Sequence, residues 1–367
     1  WAAWLPDGTG LLATGYRRGR SFFGRVSPNG GVDVTWQGPG GFVDRLTQRF
    51  TLTPDARVVA AVHEAPAEAS QVWLGSRNDA RIDWRPISRH VDDMRRWPVG
   101  DFQEVQWKTP DGTAVQGWLQ LPRDATGGRP LPLVVFVHGG PASHWTERWP
   151  MGGPSGWALL LAARGIAVFL PNPRGSTGFG TAFAEANLGD MGGADYLDIV
   201  SGVDDLIDRG LADPHRLGIC GWSYGGFMTA WAITQTTRFK AAIMGAGICD
   251  WRSFHGTSNI PAWDALFYKA DPYAHDGPYA TFSPIRYVDR VATPTLILHG
   301  EDDDFVPVGQ AHQMFRALKE RGVPVKLVVY PREGHRVQEH AHVLDLLRRG
   351  TAWLHERLAS DRAESGS

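Results

Sequence analysis

Gly221-Trp222-Ser223-Tyr224-Gly225 lies between an apolar strand-like run, Arg216-Leu217-Gly218-Ile219-Cys220, and an apolar helix-like run that begins Gly226-Phe227-Met228-Thr229-Ala230. This is a G-x-S-x-G pentapeptide in the context of a nucleophile elbow, a tight strand-to-helix turn. The flanking glycines are required because side chains there would collide with the neighbouring strand and helix. Such a turn lifts the serine Oγ above a sheet. It also aims the backbone N–H of Tyr224, at the head of the helix, at the place where an oxyanion would form. A Gly-rich loop with an incidental serine is the plain alternative, and the strand and helix on either side argue against it.

Around this turn, apolar runs alternate with amphipathic ones. Strands are expected at 131–137, 166–170, 217–220, 241–244, 295–298 and 325–330. Helices are expected at 157–163, 196–209, 227–234 and 310–321, with a final one at 343–358. A hairpin around Pro110-Asp111-Gly112 precedes them. This alternation gives a mostly parallel, doubly wound α/β sheet covered on both faces. The domain is expected to span 101–360, followed by a disordered tail at 361–367.

Residues 1–100 are organised differently, with short β-like runs, turns and tryptophans. Leu5-Pro6-Asp7-Gly8-Thr9-Gly10-Leu11-Leu12-Ala13 resembles Thr53-Pro54-Asp55-Ala56-Arg57-Val58-Val59-Ala60, an offset of 48 positions from Pro6 to Pro54. Val26-Ser27-Pro28-Asn29-Gly30 aligns with Leu74-Gly75-Ser76-Arg77-Asn78 at the same offset. A period of roughly 40–50 residues with this content suggests β-propeller blades. About two fit, too few to close a ring; a small β-sandwich is the alternative. The chain opens on Trp1-Ala2-Ala3-Trp4 inside this pattern, so a longer N-terminal propeller segment is expected upstream, together with any targeting signal.

A nucleophilic serine needs a base, and the base an orienting acid. In a fold built on this elbow the acid and the histidine follow the serine in that order. His335, after the strand at 325–330 and Gly334, is the candidate base. His340 and His342 read as solvated positions, and His299 as a structural residue packed behind its turn. The acid lies among Asp302, Asp303 and Asp304, with Asp250 as an outside candidate. The acidic run lacks the ligand spacing of a calcium loop. A second oxyanion donor is expected from the Gly-Gly turn in Val137-His138-Gly139-Gly140-Pro141, from the N–H of Gly140. Trp251, Phe254, Trp263, Phe267 and Tyr268 could line an apolar pocket for the side chain at the cut; core packing is the alternative.

Of the 367 residues, Lys and Arg number 37 and Asp and Glu 39, for a formal charge of −2. There is no basic stripe, so nucleic acid is not an expected partner, and no apolar run approaches a membrane span. Cys220 and Cys249 read as small core residues, which favours a reducing compartment and so the cytoplasm. No cofactor or metal is implied. A homo-oligomer is left open.

Five motifs in order resemble the prolyl oligopeptidase family of serine peptidases, in its acylaminoacyl-peptidase-like and dipeptidyl-peptidase-like branches. They are His138-Gly139-Gly140-Pro141, Pro171-Asn172-Pro173-Arg174-Gly175-Ser176-Thr177-Gly178, the elbow with Gly226, His299-Gly300 with Asp303-Asp304-Phe305-Val306-Pro307, and Gly334-His335. The resemblance covers about 101–358. It implies an α/β-hydrolase domain with Ser223 as nucleophile, His335 as base and, from its place three residues before the Val-Pro, Asp303 as the acid. It implies that residues 1–100 are the last blades of a propeller that limits access to short peptides. Pro173 stands where relatives often have an aromatic or small residue, which leaves the catalytic assignment intact. The acidic residues that grip a free N-terminus in dipeptidyl peptidases would lie upstream; Asp92-Asp93 reads as a solvated turn rather than a substitute. The expected function is hydrolysis of short peptides or of blocked or unblocked aminoacyl amides. The alternatives are an esterase or amidase on the same fold and a non-catalytic propeller scaffold.

Overall fold

The alternation after residue 101 is realised as one eight-stranded sheet in the computed structural model, which describes residues 1–42, 50–78, 81–88, 97, 99–123, 125, 128–149 and 153–359. The expected tail at 361–367 and the Asp92-Asp93 pair lie outside these residues. The described residues of Trp1–Phe102 and Thr146–Met151 form one compact unit, and those of Gln103–Trp145 and Gly152–Ser367 a second.

The first unit holds two antiparallel sheets. One orders β1 (Ala2–Trp4), β2 (Leu11–Arg17), β3 (Arg20–Val26) and β4 (Val32–Gln37) in sequence. The other contains β5 (Gly41–Phe42), β6 (Phe50–Leu52), β7 (Val58–Ala65), β8 (Glu68–Arg77) and β9 (Ile82–Pro86). The first half of the sequence repeat has a direct structural counterpart, whereas the second does not, since Pro28-Asn29-Gly30 is a turn after β3 and Leu74 to Arg77 are still within β8. Leu5 N–H bonds to Gly10 O at 2.9 Å, and Thr53 N–H bonds to Val58 O at 3.0 Å. Inside each turn an aspartate accepts from the N–H two residues on, Thr9 to Asp7 at 3.0 Å and Arg57 to Asp55 at 3.1 Å. These aspartate-stabilised turns launch β2 and β7 at equivalent places. The sheets share a core in which Phe23 meets Phe42 at 5.0 Å and Phe42 meets Trp84 at 4.2 Å between ring centroids. The inclusion of 146–149 was not visible in the sequence; an Arg20–Glu147 ion pair at 2.7 Å helps hold this stretch.

The second unit contains β10 (Phe102–Lys108), β11 (Ala114–Gln120), β12 (Leu131–Val137), α1 (Trp157–Ala162), β13 (Ala167–Asn172), α2 (Thr181–Ala184), α3 (Ala194–Asp208), β14 (Ala212–Trp222), α4 (Tyr224–Gln235) and β15 (Phe239–Gly245). It continues through α5 (Trp251–Thr257), α6 (Pro261–Tyr268), α7 (Pro278–Thr281), a short 3-10 helix at Pro284–Arg290, β16 (Thr295–Gly300), α8 (Gly309–Glu320), β17 (Val325–Tyr330) and α9 (His340–Leu358). The sheet order is β10-β11-β13-β12-β14-β15-β16-β17. From β13 to β17 every neighbouring pair is parallel, and β11 runs antiparallel to β13. The central strands are buried on both faces, which is why they read as unbroken apolar runs rather than alternating ones. Helix α4 packs against β14 and β15 and is buried over almost its whole length, so it too lacks a polar face. Among the described residues no helix is long and apolar enough to cross a membrane.

Helices α5 and α6 and the short α2 and α7 had no counterpart in the sequence reading. They are brief elements whose burial comes from tertiary packing, and their composition carries no long periodic signal.

Candidate active site

Ser223 follows β14 and caps α4 with φ 63° and ψ −123°, a conformation that L-residues rarely adopt. The surroundings enforce it. A Cβ on Gly221 would lie 2.3 Å from the Gly225 backbone, and one on Gly225 would lie 2.2 Å from Val137 O. With no room for side chains, strand, turn and helix close on one another. Ser223 N–H is tied to Gly245 O at 2.9 Å, and Ser223 O accepts from Phe227 N–H at 2.9 Å.

The parallel sheet delivers two further groups to the same edge, because loops leaving the C-terminal ends of β16 and β17 emerge beside the one leaving β14. Asp303 follows β16 and His335 follows β17. Ser223 Oγ lies 2.9 Å from His335 Nε2, and His335 Nδ1 lies 2.8 Å from Asp303 Oδ2. The other Asp303 oxygen accepts from the N–H groups of Phe305 at 3.0 Å and Val306 at 2.9 Å. Burial alone would raise this carboxyl, but hydrogen bonds from His299 and His335, with the Val306 N–H, bring it down to about 2. An ionised carboxylate can only accept, so His335 carries its proton on Nδ1 and leaves Nε2 free to take one from Ser223.

Within the acidic run, Asp303 is buried and faces His335, while Asp302 and Asp304 are exposed. Asp250 caps α5, accepting from Arg252 N–H at 3.0 Å and Ser253 N–H at 3.4 Å, and takes no part in this chain of contacts. His340 is exposed as expected. His342 is not the solvated group the sequence suggested, since its Nδ1 lies 2.9 Å from the buried Glu333. Among the described residues Glu333, Glu339 and His342 are the one set whose ligand atoms converge enough for a cation, all within 4.8 Å. Each carboxylate is already engaged: Glu333 by the N–H groups of Gln338 and Glu339, and Glu339 by Arg332 at 2.8 Å.

Tyr224 N–H heads α4, ahead of any carbonyl that the helix could offer it. Gly140 has φ 125°, where a Cβ would lie 2.7 Å from Ala142 N, so the turn after β12 needs glycine. Gly139 lies against the elbow; a Cβ on it would be 3.5 Å from that of Ser223. His138 braces the turn from below, with Nδ1 2.7 Å from Gly139 O and Nε2 2.9 Å from Ser176 Oγ. The Arg174 guanidinium is held by the buried Asp198 at 2.7 Å and by Asp111 at 2.6 Å. The Pro-Asn-Pro-Arg-Gly-Ser stretch thus serves as scaffold for the Gly-Gly turn.

A cavity of about 90 Å³ opens beside these groups, lined by Gly140, Ser223, Tyr224 and His335 and by the apolar Ile248, Phe254, Ile260, Trp263, Phe305 and Val306. Of the five aromatics expected at a pocket, Phe254 and Trp263 line it. Trp251, Phe267 and Tyr268 do not: they are buried in the core behind, where Trp251 meets Phe227 at 4.8 Å and Tyr268 meets Tyr279 at 4.9 Å between centroids. The sequence reading missed Ile248 and Val306, although both lie just beyond strand C-terminal ends where such a crevice forms. It also missed Asp195, fully buried beneath the elbow, which accepts from the Tyr224 hydroxyl and from the N–H groups of Gly192 and Tyr196. Burial pushes that carboxyl up to about 7.

Comparison with known proteins bears on the same residues. The chain is 36% identical to the uncharacterized peptidase YuxL of Bacillus subtilis over 94% of its own length and 51% of that protein's. It is 32% identical to the acylamino-acid-releasing enzyme of Rattus norvegicus over 72% of its own length and 36% of that protein's. It therefore spans about half or less of these relatives. A solved puromycin-hydrolyzing peptidase of Mycobacterium tuberculosis superposes with a TM-score of 0.84 at 26% identity, covering 98% of this chain and 54% of that one. The fold is an α/β-hydrolase preceded in sequence by sheets of a β-propeller. Residues 155–361 match the model of the prolyl oligopeptidase family, and the chain belongs to that family.

Proposed function

We propose that the second unit hydrolyses peptide or aminoacyl amides by acyl transfer through Ser223, His335 and Asp303. The observation that carries this reading is the unbroken line from Ser223 Oγ to His335 Nε2 and from His335 Nδ1 to Asp303. Ser223 Oγ attacks the scissile carbonyl carbon as its proton passes to Nε2. The carbonyl electron pair moves to oxygen, which the N–H groups of Tyr224 and Gly140 stabilise. The C–N bond then breaks and Nε2 returns the proton to the leaving amine. A water molecule, deprotonated by the same nitrogen, attacks the acyl-enzyme and releases the acid and the free serine. Asp303 fixes the imidazole tautomer and offsets its transient positive charge. The scheme needs only side chains, backbone N–H groups and water.

The cavity wall of Ile248, Phe254, Ile260 and Trp263 supports an apolar side chain on the acyl side of the cut. Similarity to an acylamino-acid-releasing enzyme supports a substrate blocked at its N-terminus. We read residues 1–100 as about two propeller blades and, from the family resemblance, the propeller as restricting entry to short peptides.

Nitroanilides of an acylated amino acid, a free amino acid and a dipeptide, assayed side by side with a carboxyl ester, test the reading. Turnover of the acylated anilide above the others is expected. Turnover of the free amino-acid anilide alone would make the protein an aminopeptidase, and turnover of the ester alone an esterase. No labelling by a fluorophosphonate would remove the catalytic reading and leave a binding scaffold.

A further inference from the structure

His299, near the end of β16, is fully buried beneath the turn that carries Asp303. Its Nε2 lies 2.6 Å from Val306 O and 3.4 Å from Asp303 Oδ2. A carbonyl oxygen only accepts, so the ring proton is on Nε2. Nδ1 is buried with no partner among the described residues, and a proton placed there would be an orphaned donor, which favours the Nε2–H tautomer. The Nε2–H is therefore given to the Val306 carbonyl in the acid's turn, and the oxygen that faces His335 lies 3.4 Å from the same nitrogen. The remaining capacity of the carboxylate goes to Phe305 N–H, Val306 N–H and His335 Nδ1.

We propose that His299 is a positioning residue that acts on His335 through Asp303. Its N–H keeps Oδ2 in line with His335 Nδ1 and draws off part of the charge that the carboxylate presents to the imidazole. This rests on the reading of Ser223, His335 and Asp303 as a triad. Other titratable or charged groups on the surrounding elements are Glu301, Asp302 and Asp304 on the same turn, Glu333, Arg336 and His342 after β17, and Asp250 at the head of α5. The variants below leave all of them in place.

With the second N–H removed, Oδ2 presents more charge to His335 and stabilises its protonated form. In His299→Phe the acid limb of the kcat/KM profile should move up by about 0.5–1 pH unit, and kcat at the plateau should fall about tenfold with KM held. His299→Gln, whose amide can restore an N–H near the Nε2 position, should return the limb to the wild-type value. A purely structural role predicts lower thermal stability in both variants with the limb unmoved, and that outcome overturns the proposal, as does a Gln variant no better than Phe. NMR of the ¹⁵N-histidine-labelled wild type is independent of how well the variants fold. His299 should appear as the Nε2–H tautomer; an Nδ1–H tautomer overturns the proposal. Fluorophosphonate labelling of the wild type separates the two levels. Without it the triad reading falls and this one with it; labelling with an unmoved limb removes only the role of His299.

Discussion

The indole N–H of Trp222 donates to the main-chain carbonyl of His335 at 2.8 Å. The residue before the nucleophile thus holds the backbone of the residue that would take its proton, across two loops 113 positions apart in sequence. Trp222→Phe should keep the ring in place and lose only this bond. A single neutral hydrogen bond contributes about 0.5–1.5 kcal/mol, so kcat should fall by roughly 2–10-fold through looser placement of the imidazole, with little change in KM. Steady-state kinetics on one anilide measures it, and an unchanged kcat would show that the loop needs no such tie.

Ser223→Ala and His335→Ala should each lower kcat by about 10⁴–10⁶, and Asp303→Asn by about 10⁴, because the amide favours the wrong imidazole tautomer. Fluorophosphonate labelling should be lost in the serine variant and slowed in the other two. Near wild-type turnover of Ser223→Ala on an activated amide would refute the assignment.

Two buried carboxylates should give opposite pH signatures in stability. Asp303 is depressed in the folded state, so its contribution is present above the ordinary carboxylate range and is lost as pH falls from about 4 toward 2. Asp195 is raised to about 7 in the folded state, so its contribution is full below pH 4 and is lost as pH rises to about 7, then stays flat. Asp195→Asn should abolish that second loss: the amide can still accept from Gly192 and Tyr196 and can donate to the Tyr224 hydroxyl oxygen or to Asn187 Oδ1, which is buried without a partner among the described residues. Urea denaturation at pH 4, 5, 6 and 7 provides the comparison, and parallel curves for the two proteins would count against the account.

Ile248 sits on the cavity wall, where a larger side chain would project into free space. Ile248→Phe should lower kcat/KM for a substrate with phenylalanine at the cut by about 10–100-fold relative to one with alanine, as expected for a few methylenes of lost pocket. Its rate with a small acetyl ester should change little. Equal losses on both amide substrates would mean that the side chain binds elsewhere.

Much of the second unit was legible because parallel strands buried on both faces write themselves as continuous apolar runs, as 131–137 does for β12; 325–330 also coincides with β17, an edge strand that is only half-buried. The elbow was legible because its backbone demands glycines at set positions. The residue at the acid's position could not be chosen by type, since Asp302, Asp303 and Asp304 are chemically identical; only burial separates them, and the family pattern supplied that choice. The pocket was legible only in part. Trp251 and Phe254 sit on the same short helix and both are buried in the core, yet only Phe254 also reaches the cavity wall, a distinction that hydrophobicity does not encode. Asp195 escaped notice because a polar residue owes its place here to a partner distant in sequence, the Tyr224 hydroxyl, whereas His299 was already read as a structural residue behind its turn.

The strained backbone at Ser223 is held by main-chain packing of Gly221 and Gly225 against their neighbours, with no help from the serine side chain itself. The turn is therefore a mount indifferent to what it carries. Exchanging Ser223 for cysteine or alanine leaves the mount intact, so the chemistry of the site can be rewritten one atom at a time, whereas adding a single methyl group to either glycine dismantles the instrument that aims it.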